Sequence, residues 1–385
     1  MTKNSQFQRP QPPSMALNIS YMNQVWHMSS AVMPTQVPWP LIPFIQSEIL
    51  NRQTGFMTGW QHYVSFQPED MSHRDRDIFW EEGTTLCRYS KQAKGVPVLL
   101  IPSLINKSYI MDLRAQHSFF QSLLDADLSP YLIEWGEPGD EEKNFDIADY
   151  IIKRIIPLAQ KIKKETGYYP IGLGYCMGGL LLAGALAQKD LLFSGAVFIA
   201  SPWDFHTDQD ATTQKANMFF KTIEPIMKAR GHLDVDLIQA FFTTLNPMQA
   251  ARKFIKFNAE IEDKEKASAF VAIEDWIQNG VPLSEKIASE CFISFYAQNA
   301  THKGNWKCGD ALVDPSKFNL PSLVVTAGRD TLVPPQSSES LLKALKDPAH
   351  ILCDTGHIGL MGSKRQTNKV WPQIFDWIKS LENSR

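Results

Sequence analysis

From residue 96 onward, short apolar runs alternate with amphipathic stretches, a rhythm that predicts a parallel sheet covered by helices. Val96 to Ile101 is apolar throughout, as a strand buried on both faces must be. Pro102-Ser103-Leu104-Ile105-Asn106 reads as the turn that follows, and Phe119, Phe120, Leu123 and Leu124 then recur at helical spacing. Pro130 to Glu134 is a second strand, running into the loop Trp135-Gly136-Glu137-Pro138. Ile147 to Lys164 is helical, with Ile151, Ile152, Ile155, Ile156 and Leu158 on its apolar side. Pro170 to Leu173 makes a strand, Met177 to Gln188 a helix, and Gly195 to Ala200 another strand.

The alternation lapses between Phe205 and about Leu320, a stretch rich in helix formers and aromatic residues. It resumes with a strand at Leu323 to Thr326, the turn Ala327-Gly328-Arg329-Asp330 and a helix near Ser338 to Leu345. A strand at His350 to Cys353 and a closing helix at Val370 to Leu381 complete the pattern. Upstream, Val37 to Pro43 carries three prolines and is expected to be extended. Phe44 to Tyr63 has roughly helical apolar spacing and is expected to pack on the main domain.

One stretch interrupts the strand–helix rhythm chemically. Gly174-Tyr175-Cys176-Met177-Gly178 has the G-x-S-x-G spacing of a nucleophile elbow, with cysteine in place of serine. A side chain on so sharp a strand-to-helix turn sits in strained backbone, and glycine two residues to either side removes the Cβ atoms that would collide. The Met177 amide and the helix N-terminus beneath Cys176 would favour a thiolate and an oxyanion. A lone cysteine is more often a buried core residue, but the glycine frame argues against that here.

In this architecture a base and an orienting acid follow the nucleophile in the order acid, then histidine. Asp330 stands just past one late strand and His357 just past the next, so both are expected at the sheet edge beside Cys176. His357 would take the thiol proton and Asp330 would fix the imidazole tautomer. Asp310 and Asp354 compete for the acid role, Asp310 from the insertion and Asp354 from the turn that carries His357. The second oxyanion donor is expected after the Val96–Ile101 strand, at the amide of Leu104 or Ile105. The expected fold class is thus α/β, an α/β-hydrolase fold with a mostly parallel sheet, helices on both faces and a helical lid insertion. Its expected parts are an N-terminal region (1–92), a core (93–204 and 321–385) and a lid (205–320).

Composition narrows the picture further. A net charge of −3 supplies no basic field for nucleic acid. The five cysteines are odd in number and scattered, with no C-x-x-C pair, so no disulfide framework and no metal site are expected. The longest apolar run, Gly178 to Ala187, is too short for a bilayer that requires ~20 residues, and no basic-then-apolar leader opens the chain. A cytoplasmic protein without a transmembrane segment is expected.

Taken together, these motifs resemble the polyhydroxyalkanoate (poly-3-hydroxybutyrate) synthases. Gly174-Tyr175-Cys176-Met177-Gly178-Gly179 is similar to their cysteine lipase box, and Ile105-Asn106-Lys107-Ser108-Tyr109-Ile110-Met111-Asp112-Leu113 to their I-N-K-x-Y-I-L-D-L segment. Glu134-Trp135-Gly136-Glu137-Pro138 stands at their tryptophan loop. Asp330-Thr331-Leu332-Val333-Pro334-Pro335 and Gly356-His357-Ile358-Gly359 resemble their acid and histidine motifs. One departure is at Trp276, which precedes Ile277-Gln278-Asn279 where the family has W-N-x-D. The resemblance implies an acyltransferase moving 3-hydroxyacyl groups from acyl-CoA, a substrate and not a resident cofactor, to a hydroxyl acceptor. It also implies, as partners, a polyester granule surface and a second copy of the chain or an accessory subunit.

The element at position 176 separates the reactions. A serine acyl-enzyme is an ester, so drawing an acyl group onto it from a thioester runs downhill. A cysteine acyl-enzyme is itself a thioester and keeps the acyl group activated for a hydroxyl. A cysteine-dependent hydrolase of esters, lactones or thioesters is the alternative, and a non-catalytic granule or scaffold protein a third reading.

Overall fold

Apolar runs without alternation become the centre of the sheet. The computed structural model describes residues 39–67, 76–188, 191–207, 211–245 and 249–382. Eight strands form one sheet: β1 (Asp77–Glu82), β2 (Thr85–Tyr89), β3 (Pro97–Ile101), β4 (Ser129–Glu134), β5 (Ile171–Tyr175), β6 (Gly195–Ile199), β7 (Ser322–Ala327) and β8 (Ala349–Cys353). Their spatial order is β1-β2-β4-β3-β5-β6-β7-β8. From β4 to β8 every pairing is parallel, and β3, β5, β6 and β7 are buried along their whole length. This is the α/β fold expected, with strand limits within two residues of those read from the pattern.

Strand order reverses at β3, the kind of switch point at which α/β sheets place their binding sites, outside the carboxyl ends of the strands. β3 pairs with β5 through Ile101↔Gly174, and β5 with β6 through Tyr175↔Ile199. The ends of β3, β5 and β6 therefore meet where the chain turns at Cys176.

The antiparallel hairpin β1–β2 was not anticipated, and it moves part of the expected N-terminal region into the core sheet. Its two-residue turn, Gly83-Thr84, needs glycine first, since Gly83 has φ +57°. The tip docks on a buried ion pair. Arg154 Nη2 donates to Glu142 Oε1 at 2.8 Å, which also accepts the Thr84 amide at 3.0 Å. Arg154 lies on the long helix of Ile147–Tyr150, a π-helical turn Ile151–Ile155, and Ile156–Thr166.

The chain divides into two compact units. One contains the sheet and spans Met71–Val235 with Asn279–Arg385; the other joins Met1–Asp70 to Asp236–Gln278. The stretch 205–320, expected as one lid, is thus shared between them, because aromatic residues at both ends of the second unit need each other for burial. There, the helix Ile42–Ser65 packs on Gln249–Glu260. Phe56, Trp60 and Tyr63 surround Phe254 with ring centroids 5.5–5.9 Å apart, each worth about 0.5–1.5 kcal/mol beyond burial. Within 37–43, residues 37 and 38 lie outside the described residues. Trp39–Leu41 is a 3-10 turn and the helix begins at Ile42, so Pro43 occupies the first helical turn, where a missing amide costs nothing. No helix among the described residues is long and apolar enough to cross a membrane.

Candidate active site

The elbow is built as its spacing requires. Cys176 has φ +55°, a left-handed conformation uncommon for a residue with a Cβ and held here by neighbours. Its amide donates to Ile199 O at 2.9 Å and its carbonyl accepts the Gly179 amide at 3.0 Å. A Cβ on Gly174 would stand 2.5 Å from Gly178 O, and one on Gly178 would overlap the Ile101 carbonyl. Both glycines are therefore sterically obligatory, and the second brings the elbow against the end of β3. The helix Met177–Gln188 leaves the turn directly after the nucleophile.

Asp330 and His357 arrive from β7 and β8. Asp330 Oδ2 accepts from His357 Nδ1 at 2.6 Å, while its Oδ1 accepts the amides of Leu332 at 2.8 Å and Val333 at 2.9 Å. Both side chains are buried, Asp330 almost wholly and His357 leaving 7% exposed. The competing carboxylates lie elsewhere: Asp354 is exposed and paired with Arg329 at 2.8 Å, and Asp310 is exposed on a hairpin turn.

The sulfur of Cys176 also acts on the proton affinity of the histidine ring. Burial by itself would lower the His357 pKa. The negative charges of Cys176 and Asp330, with hydrogen bonds to both, outweigh it and push the value to about 10. Once protonated, the imidazole therefore keeps its proton firmly while those charges persist. Burial raises the pKa of Cys87, Cys291, Cys308 and Cys353, as for inert structural thiols.

Of the amides considered for an oxyanion site, Ile105's is already engaged, donating to Ser103 Oγ at 3.1 Å. The Ile105 carbonyl accepts from Val281 at 2.8 Å, and Asn106 bridges Gly280, so this loop is held from one side. Trp135, noted in the sequence only for its loop, donates its indole N–H to Pro102 O at 3.1 Å and fixes the same turn.

Sequence reasoning passed over Tyr175. Its hydroxyl donates to the His357 carbonyl at 3.3 Å, and its ring stacks on the imidazole at 5.3 Å and 28°. As the unspecified position of the elbow pattern it carried no signal of its own.

Residues 96–363 match the family described as alpha/beta hydrolase fold. The chain is 26% identical over 320 residues to the poly(3-hydroxyalkanoate) polymerase subunit of Haloferax mediterranei, covering 78% of this chain and 63% of that protein. The Haloarcula marismortui subunit is likewise 26% identical, over 80% of this chain and 68% of the relative. The Synechocystis subunit is 25% identical over 87% of this chain and 93% of its own length. Against the first of these the chain spans less than two thirds of the relative. The chain belongs to the α/β-hydrolase fold family and is, within it, similar to the poly(3-hydroxyalkanoate) polymerases.

Proposed function

We propose that the protein is a cysteine-dependent acyltransferase that takes 3-hydroxyacyl groups from CoA thioesters and passes them to a hydroxyl, extending a polyester. The observation that carries this reading is the buried Asp330–His357 pair beside a half-buried sulfur on the strained elbow. Similarity to polymerase subunits supports the substrate class.

In the first half-reaction, His357 Nε2 takes the Sγ proton and the sulfur attacks the thioester carbonyl. The tetrahedral oxyanion is met by the Met177 amide and, with Ile105's amide engaged, by that of Leu104. Collapse breaks the bond to the CoA sulfur, which leaves with the proton from His357. In the second, His357 takes the proton of a hydroxyl whose oxygen attacks the enzyme thioester; an ester forms and Cys176 Sγ is reprotonated. The reaction is two acyl exchanges and needs no resident cofactor or metal.

Incubation with a 3-hydroxyacyl-CoA tests this directly. Polymer with stoichiometric free CoA is the expected result. Hydroxy acid with free CoA would mean a hydrolase instead, and no turnover a non-catalytic protein. Cys176→Ala should abolish CoA release in a folded protein; undiminished release would overturn the covalent route.

A further inference from the structure

Cys176 and His357 belong to strands that are not neighbours: β6 and β7 lie between β5 and β8. Their relative placement must be fixed by something that reaches across this gap. The backbone of Tyr175 is continuous with the nucleophile, and its side chain meets the histidine twice, through the hydroxyl at the His357 carbonyl and through the ring face at the imidazole. The side chain is fully buried, so neither contact competes with water. Elsewhere His357 has Asp330 at Nδ1 and the Leu360 amide at its carbonyl, both from its own side of the sheet.

We propose that Tyr175 is a positioning residue for the general base, clamping the His357 backbone with its hydroxyl and favouring the imidazolium with its ring face. This rests on the Cys176–His357 reading above. The physics of the two contacts differs. A hydroxyl-to-carbonyl bond restrains where the loop sits. A ring face 5.3 Å from a cationic imidazole lies within the ~6 Å at which the negative quadrupole attracts a cation, and burial strengthens that attraction. The ring therefore acts when the histidine has taken the thiol proton and not before, so it assists proton transfer as well as placement.

The test needs no acyl substrate. The rate of Cys176 alkylation by iodoacetamide, with the modified residue located by mass spectrometry, is followed from about pH 5 to about pH 11.5, a range that brackets the histidine. It is compared in wild type, Tyr175→Phe, Tyr175→Leu and His357→Gln. Tyr175→Phe keeps the ring and should hold the profile while slowing alkylation a few-fold. Tyr175→Leu should move the histidine-controlled inflection down by about one unit, a tenfold loss of proton affinity. A profile in Tyr175→Leu identical to wild type would overturn the proposal. Should that variant fail to fold, phenylalanines of increasing fluorination at position 175 keep the shape and drain the ring face. The inflection should then step down with fluorine count, and a flat series refutes the role of the ring. His357→Gln separates the two levels: if it too leaves the profile unchanged, the underlying cysteine–histidine reading fails, and otherwise only the Tyr175 inference is at stake.

Discussion

The sheet unit contains two buried acid–base pairs that look alike and do different things. Asp330–His357 and Glu142–Arg154 are both almost fully buried, at 2.6 and 2.8 Å. In both, the carboxylate is saturated: Asp330 also accepts two backbone amides, and Glu142 those of Thr84 and Gly139. The acids are therefore nearly equivalent, and the difference lies in the base. Burial works against the Arg154 charge, but Glu142 and Glu141 outweigh it and raise its pKa further, so it stays charged at every pH the protein meets. Imidazole has a second nitrogen and can lose its proton, and Cys176 acts on its charge state. A buried pair becomes chemistry when its base can change state beside a nucleophile; otherwise it fastens a hairpin.

The largest effects should come from making the first pair as inert as the second. His357→Gln removes the proton acceptor, and Asp330→Asn puts a donor where the Nδ1 hydrogen needs an acceptor. Each should slow single-turnover acylation, measured per folded molecule, by roughly 10²–10⁴-fold. Wild-type acylation in Asp330→Asn would show that the two pairs are alike after all.

The second pair should respond in the opposite currency. Arg154→Met leaves Glu142 buried without its cation and should cost about 3–5 kcal/mol in urea unfolding, while acylation per folded molecule is unchanged. Burial alone would raise the Glu142 pKa; Arg154 and the backbone amides outweigh it and hold it below the usual carboxylate range. The contribution is thus present above the ordinary glutamate pKa and is lost as pH falls through the lowered one. Arg154→Met should erase that acid-side loss. A drop in acylation without a drop in stability would instead tie the hairpin to catalysis.

The two pairs were not equally readable in the sequence. Cys176, Asp330 and His357 each follow an apolar run, and a parallel sheet delivers such positions to one edge, so order along the chain stood in for proximity. Glu142 and Arg154 have no comparable marker, one lying in a polar loop and the other on a helix that reads as amphipathic either way. The hairpin they hold was missed for a related reason: β1 is half exposed, and its Asp77-Ile78-Phe79-Trp80-Glu81-Glu82 alternates imperfectly across a register shift between Ile78 and Trp80. The Gly83-Thr84 turn was the available clue. The partnership of Ile42–Ser65 with Gln249–Glu260 lies beyond any local pattern, since both helices present apolar faces whose partner only the folded chain specifies.

The smallest effect expected is also the most specific to the active pair. In wild type, the His357 pKa near 10 reflects burial opposing four favourable influences, two from Cys176 and two from Asp330. Cys176→Ala removes the sulfur's charge and hydrogen bond and leaves burial against Asp330 alone, so the pKa must fall. Because the folded value lies above that of a free imidazole, the protonated ring stabilises the fold fully below about pH 6.5, and this is lost as pH rises through about 10. In Cys176→Ala the loss should therefore be smaller and complete at lower pH. With nine histidines in the chain, the His357 resonance is assigned by its disappearance in His357→Gln, and its titration is followed by NMR in wild type and in Cys176→Ala. A midpoint that stays near 10 without the sulfur would mean that Asp330 alone holds the proton. The Asp330–His357 pair would then be a fixed ion pair of the same kind as Glu142–Arg154, and its contact with Cys176 would have no part in setting the charge of the base.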